Sequence, residues 1–245
     1  MKKTHIIAVT MFAAATAFAT PRSVQADELT LCWAAWDPAN ALIELSKDDF
    51  IPATVTGYSE WPKGTPNYWA LPAFGDVVGW TYRKDWFERP ALQAEFKAKY
   101  GRDLAAPATL AELKDIGEFF QGREIDGTTV YGASIYTERG SEGITMGVTN
   151  ALYNYGFLYE NPDKPYDLEG FVNSPEAAAG LEYYKALYDC CTPPGSSDWY
   201  MSENIDAYKS GQVAMQMNFA FIWPGVNADP KVGGDKSGYF PNPAG

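Results

Sequence analysis

The stretch from Tyr68 to Asp85, Tyr-Trp-Ala-Leu-Pro-Ala-Phe-Gly-Asp-Val-Val-Gly-Trp-Thr-Tyr-Arg-Lys-Asp, constrains the fold more than any other part of the chain. It reads as an extended entry through Pro72, a Gly75-Asp76 step, and a strand from Val77 to Tyr82. The strand is β-branched and aromatic and mostly apolar at successive positions, so both of its faces must be covered. It therefore belongs to the interior of a layered α/β domain, and Asp76 places a carboxylate at its mouth.

Two further segments extend this reading. Val130 to Ile135 predicts a strand that empties into Tyr136-Thr-Glu-Arg-Gly-Ser-Glu-Gly143 and then a helix over 144–155. Gly211 to Asn218 predicts a second buried strand, followed at once by Phe219-Ala-Phe-Ile-Trp-Pro224. Upstream, Leu29 to Trp33 predicts a short strand and Asp37-Pro38-Ala39-Asn40 a helix start. Trp33, Trp36, Asp37 and Asn40 fall in the turn between them, at the carboxyl edge where α/β domains bind ligands.

The packing helices carry their own punctuation. Asp85 to Phe87 open a helical excursion; Ala91 to Tyr100 ends at Gly101, a residue suited to a left-handed cap. Thr109 and Glu112 have capping-box spacing ahead of Leu113, Ile116, Phe119 and Phe120. Ser174-Pro175-Glu176 predicts a helix start, with Leu181, Tyr184 and Tyr188 on one face. A short helix over 203–209 is stopped by Gly211. Trp61-Pro62, Gly64 and Pro66 mark a loop, as do Pro193 to Ser197.

Composition excludes several chemistries. Lys2 and Lys3, an apolar run from Ile6 to Ala19 and a Val24-Gln25-Ala26 exit describe a secretory signal peptide over 1–26, too short to span a bilayer. Cys32 follows Leu29-Thr30-Leu31, without the small residue that a lipoprotein site wants, so the expected product is soluble, in a Gram-negative periplasm. Cleavage removes three cations and no acid, taking the formal charge from −12 to −15. Nucleic acid and anionic lipid are therefore not expected partners. The single histidine, His5, leaves with the signal peptide. That excludes Ser-His-Asp and Cys-His catalysis and imidazole-bound zinc, and no cofactor is expected. Of the three cysteines, Cys190 and Cys191 are adjacent, where a mutual disulfide forces an unusual turn; Cys32 paired with one of them is the alternative, and the odd count fixes no connectivity.

Four phrases resemble one family. They are Pro72 four residues before Asp76 with Tyr-x-Lys-Asp closing the strand; Asn173-Ser-Pro-Glu-Ala-x-x-x-Leu-x-Tyr-Tyr-Lys-x-Leu-Tyr188; Ser210-Gly-x-Val-Ala-Met215 with an aromatic pair after it; and Gly238-Tyr-Phe-Pro-Asn-Pro243. Together they resemble the periplasmic solute-binding proteins of ABC sugar importers, in the maltose and multiple-sugar group. The resemblance implies a bilobal periplasmic-binding-protein fold of type II. It also implies an incomplete one, since Asp49-Phe50 runs straight into Ile51-Pro52 where relatives carry further strands and helices, and the chain stops at Gly245. The implied domains are a remnant of the first lobe over 27–75, a second lobe over 76–236, and a hinge strand returning to the first lobe over 237–245, with Tyr239 and Phe240 at the hinge.

By the same resemblance Asp76 faces the sugar, and a ring just past the second buried strand stacks on a pyranose face, a place held by Phe221 and Trp223. Tyr136, Glu138, Ser141 and Glu142 are candidates by position at the opening of the helix. A sugar offers hydroxyls around its edge and an apolar C–H face, so carboxylates, amides and rings are the groups wanted; Asp76, Asn218, Trp36, Phe221 and Trp223 are of those types. The implied function is a monomeric receptor without chemistry of its own, which binds a sugar or polyol and delivers it to the membrane subunits of an ABC permease. A secreted glycoside hydrolase with paired carboxylates is the alternative from another class, because it too needs no histidine.

Overall fold

A computed structural model describes residues 48, 50–70, 72, 77–140 and 142–245. The signal peptide, the strand expected from Leu29 and the helix expected from Asp37 lie outside the described residues. The chain divides into two compact units, Met1–Gly75 and Asp76–Gly245.

In the first unit, helix α1 spans Pro52–Tyr58. The sequence reading placed no element there. Pro52 sits at the first helical position, where its missing N–H costs nothing, and the Ile51 carbonyl accepts from the Thr54 and Val55 amides. The loop after α1 is pinned by a Glu60–Tyr68 bridge, by the Glu60 carboxylate accepting from the Gly64 amide at 2.8 Å, and by the Trp69 indole donating to the Trp61 carbonyl at 3.1 Å.

The second unit is built on a five-stranded sheet. Its strands are β1 (Val78–Arg83), β2 (Arg123–Ile125), β3 (Thr128–Ser134), β4 (Val213–Phe219) and β5 (Ser237–Pro241), in the order β2-β3-β4-β1-β5. β3 and β4 run parallel, while β1 runs antiparallel to both β4 and β5. The expected buried strands are thus the adjacent inner pair β4 and β1. β2, which the sequence reading missed, joins β3 through Asp126 and Gly127, both at positive φ (52° and 78°), the geometry of a two-residue hairpin turn.

Helices α2 (Lys84–Phe87), α3 (Pro90–Tyr100), α4 (Leu110–Phe120), α5 (Gly143–Asn154), α6 (Pro175–Cys191), α7 (Met201–Lys209) and α8 (Trp223–Asn227) complete the unit. The main core joins Trp80, Phe87, Phe96, Leu113, Ile116, Phe120, Met215 and Phe240. Local signals explain the helix ends. Gly101 takes φ 72° and closes α3, and Ser174 Oγ accepts from the Ala177 amide at the start of α6. At α4, Thr109 Oγ1 accepts from the Glu112 amide as expected, but the Glu112 carboxylate reaches the Ala108 amide, one residue further back than a reciprocal box requires.

One expectation is corrected, and the cysteine pairing left open by the sequence is fixed. Leu181 does not share the packed face of α6: it is 49% exposed, and the buried face runs through Ala177, Gly180, Tyr183, Leu187 and Cys191. The reason is Gly180, whose added Cβ would lie 2.8 Å from Leu152 Cα; the partner helix seats itself on the residue without a side chain and turns Leu181 outward. The disulfide joins Cys190 to Cys191.

A comparable approach occurs at Gly132, where an added Cβ would stand 2.2 Å from the Gly117 carbonyl oxygen, so β3 and α4 meet backbone to backbone. The centre of the sheet also holds a polar row. Thr81 and Ser134 each pair in register with Gln216, and all three are fully buried. Thr81 Oγ1, Ser134 Oγ and both amide atoms of Gln216 have no hydrogen-bond partner.

Candidate functional site

The parallel pair β3 and β4 brings two strand ends to one edge of the sheet, and antiparallel β1 brings its start there as well. Asp76, Trp36 and Ser141 lie outside the described residues. Val77, the next residue in the chain after Asp76, is at this edge, its carbonyl accepting from the Ala220 amide at 2.8 Å.

Rings dominate the edge. Tyr136 follows β3, Phe219 ends β4, and Tyr200 precedes α7. Their centroids are 5.0 Å apart for Tyr136 and Tyr200 and 5.7 Å for Tyr136 and Phe219. Phe221, in the 3-10 turn Ala220–Ile222, stacks on Phe219 at 5.8 Å with the planes 13° apart, and is 51% exposed. Trp223 opens α8, lies 5.0 Å from the Tyr239 ring, and covers Gly79 of β1. A Cβ at Gly79 would come within 2.8 Å of the indole, so this glycine, unnoticed in the sequence, is what lets Trp223 lie flat on the sheet. A cavity of 190 Å³ lined by Ile205, Lys209, Phe221, Ile222, Gly225 and Val226 adjoins the rings. It is smaller than the ~300–1,000 Å³ of ordinary ligand pockets, so the rings form an open platform.

Acids flank the rings. Glu142, at the entry to α5, is exposed. Burial, followed by the nearby Glu142 carboxylate and the negative charge of Glu138, pushes the Tyr200 phenol up to about 12, so it keeps its proton at any physiological pH. The Glu138 carboxylate folds over the start of α5. A Cβ at either Gly140 or Gly143 would meet it at 2.6 Å, and a negative charge is favoured at that helix end.

Asn218 stands apart from the other candidates. It is fully buried, and its amide is engaged inside the protein: Oδ1 accepts from the Tyr136 hydroxyl at 2.6 Å and from the Phe219 amide at 2.9 Å, while Nδ2 donates to the Met201 carbonyl at 3.3 Å. The structure thus brings together Tyr136, Asn218 and, through Phe219, Phe221, adds Tyr200, and sets Trp223 apart against Gly79 and Tyr239. The only signal for Tyr200 in the sequence is its place one residue before a helix. Among the described residues no group of three or more His, Cys, Asp or Glu is placed to hold a metal ion.

No protein-family model and no curated protein matches the sequence. Solved structures do match. The maltose-bound MalE3 of T. maritima is 25% identical with a TM-score of 0.61, over 83% of this chain and 48% of that one. An ABC transporter solute-binding protein of Agrobacterium radiobacter K84 in complex with ribitol is 22% identical with a TM-score of 0.58, over 84% and 46%. The fold is that of the ABC-importer solute-binding proteins. The GacH receptor of Streptomyces glaucescens, solved unliganded and with acarbose, aligns in the same way at 21% identity and a TM-score of 0.56, over 81% and 44%. The chain spans under half the length of each of these three solute-binding proteins. The α/β class and the periplasmic-binding-protein type expected from the sequence are those of the structure.

Proposed function

We propose that the chain is the substrate-binding component of an ABC importer, capturing a sugar or polyol and delivering it to the permease, without catalysis. The arrangement that supports this reading most directly is the ring cluster of Tyr200, Phe219 and Phe221, with Glu142 beside it and Trp223 over Gly79 on the neighbouring strand, at the carboxyl edge of the sheet. It lies in a fold whose structural neighbours include proteins solved with maltose and with ribitol. Phe221 and Trp223 stack on the apolar face of the ligand, Glu142 and Tyr200 bond its hydroxyls, and Asp76 supplies a second carboxylate. In this reading residues 1–26 direct export, 76–236 form the second lobe and 237–245 the return strand.

Covering roughly 50 Å² of ring face at about 25 cal/mol per Å² gives about 1 kcal/mol per stacked ring, or about fivefold in affinity. A hydrogen bond to a carboxylate is worth about 1.5–3 kcal/mol, or about ten- to a hundredfold. Calorimetric titration of the full chain with maltose, ribitol, mannitol and tagatose tests the reading. Saturable binding of at least one, weakened about fivefold by Phe221→Ala and ten- to a hundredfold by Asp76→Ala, supports it. No binding of any of the four, or release of product from an oligosaccharide, refutes it.

A further inference from the structure

We propose that Tyr136 and Asn218 form a buried lock that positions the ring platform and never touches the ligand, an inference that rests on the sugar-binding reading. Both residues are fully buried. The Tyr136 hydroxyl donates to Asn218 Oδ1 and accepts from the Phe219 amide at 3.2 Å, which ties the end of β3 to the end of β4. Asn218 Nδ2 reaches the Met201 carbonyl and so holds the first turn of α7, the residue beside Tyr200. On its backbone side Tyr136 is held again: the Tyr184 hydroxyl of α6 donates to its carbonyl. Helix α5 closes on that same carbonyl at Gly147, where an added Cβ would lie 2.4 Å away.

One phenol and one amide therefore join the elements that carry Phe219, Phe221 and Tyr200. A platform of rings binds a small guest well only when its rings are already placed, because ordering them on binding subtracts from affinity. A fully buried amide whose oxygen accepts two hydrogen bonds and whose nitrogen donates to a neighbouring carbonyl is turned into the protein and not toward a sugar, and it is well suited to fixing strand ends. Asn218 accordingly moves from ligand contact to positioning residue, with Tyr136 as its partner.

The test compares Tyr136→Phe, which keeps the ring and deletes the hydroxyl, with Tyr183→Phe. Tyr183 is also buried in α6 and donates to the Leu110 carbonyl at 2.8 Å, so its variant removes a similar hydrogen bond away from the platform. Both are made in the full chain, with affinity measured for whichever of maltose, ribitol, mannitol or tagatose the parent binds. NMR spectra of the Trp223 indole and of the Phe219 and Tyr200 amides are recorded without ligand. Losing one hydrogen bond predicts about fivefold weaker binding for Tyr136→Phe and parental binding for Tyr183→Phe. Parental affinity in Tyr136→Phe, or equal weakening in both variants, overturns the lock. If the parent binds none of the four probes, the sugar reading has failed, and the spectra decide the lock separately. Shifted or broadened platform signals in Tyr136→Phe alone uphold it; unchanged signals overturn it.

Discussion

The same substitution, glycine to alanine, should have opposite effects at Gly132 and Gly225, and the pair tests the packing directly. At Gly132 the new methyl would stand 2.2 Å from the Gly117 carbonyl oxygen and 2.5 Å from its Cα, against 3.4 Å or more for an ordinary contact, so β3 and α4 must part by about 1 Å. The obstacle is backbone on both sides and cannot rotate away. Separating them loosens Leu113, Ile116 and Phe120, which are fully buried on α4. Overpacking of this kind costs ~1–3 kcal/mol, and the rigid partner puts Gly132→Ala near the upper figure. For a unit of this size each kcal/mol moves Tm by about 2–4 °C, so a fall of about 6–12 °C is expected.

At Gly225, in α8, an added Cβ meets nothing within 4 Å and the backbone is not at positive φ. Here alanine mainly restricts the unfolded chain, worth about 0.4–1 kcal/mol, and Tm should rise by about 1–4 °C. Thermal melts followed by circular dichroism measure both. A Gly132→Ala variant melting within 2 °C of the parent, or a Gly225→Ala variant melting below Gly132→Ala, would refute the placement of α4 against β3.

Two further outcomes are expected. Gln216→Met, which replaces an unpartnered buried amide with an apolar chain of similar length, should leave the protein as stable or more stable by about 1–3 kcal/mol, measured by urea unfolding; a loss of stability would mean that the amide is satisfied in solution. Tyr184 and Tyr200, both pushed up to about 12 first by burial, hold their protons more tightly folded than unfolded, where a phenol titrates near 10. Their contribution to stability is complete below pH 10 and is lost as pH rises from about 10 to about 12, so Tm should be flat below that window and fall within it, less steeply in Tyr184→Phe.

The sheet's interior was legible because its signals are local: Trp80 and Tyr82 in β1 and Met215 and Met217 in β4 are apolar at alternate positions, the period of a strand with one face on the core. Helix ends were legible for the same reason, at Gly101 and Ser174, where one residue satisfies or redirects one turn of backbone. β2 could have been read from Asp126-Gly127, a pair suited to the tightest hairpin turns, but three residues carry too little pattern on their own. Leu181 misled because the facing helix chose Gly180, and no periodicity encodes a partner's choice. At the candidate site, Phe221 and Trp223 were named from the resemblance and Tyr136 and Glu142 from their position, while Tyr200 was not named. The hydrogen bonding of Asn218 was not legible: an amide at a strand end reads alike whether it faces a guest or a neighbouring phenol, and only the placement of Tyr136 tells them apart. Gly79 was invisible, since its role is the space it leaves for Trp223.

The place of β1 between β4 and β5 has a temporal consequence. Trp80 has its neighbours in Met217 and Phe240, so the first strand of this unit to leave the ribosome waits for nearly the whole remaining chain before either of its edges is closed. Pairings so remote in sequence make assembly slow, and until they form, a largely apolar, aromatic ribbon stands open to any other strand. A chain cut before residue 213 keeps that ribbon and loses both partners, and is expected to aggregate rather than persist as a smaller folded body.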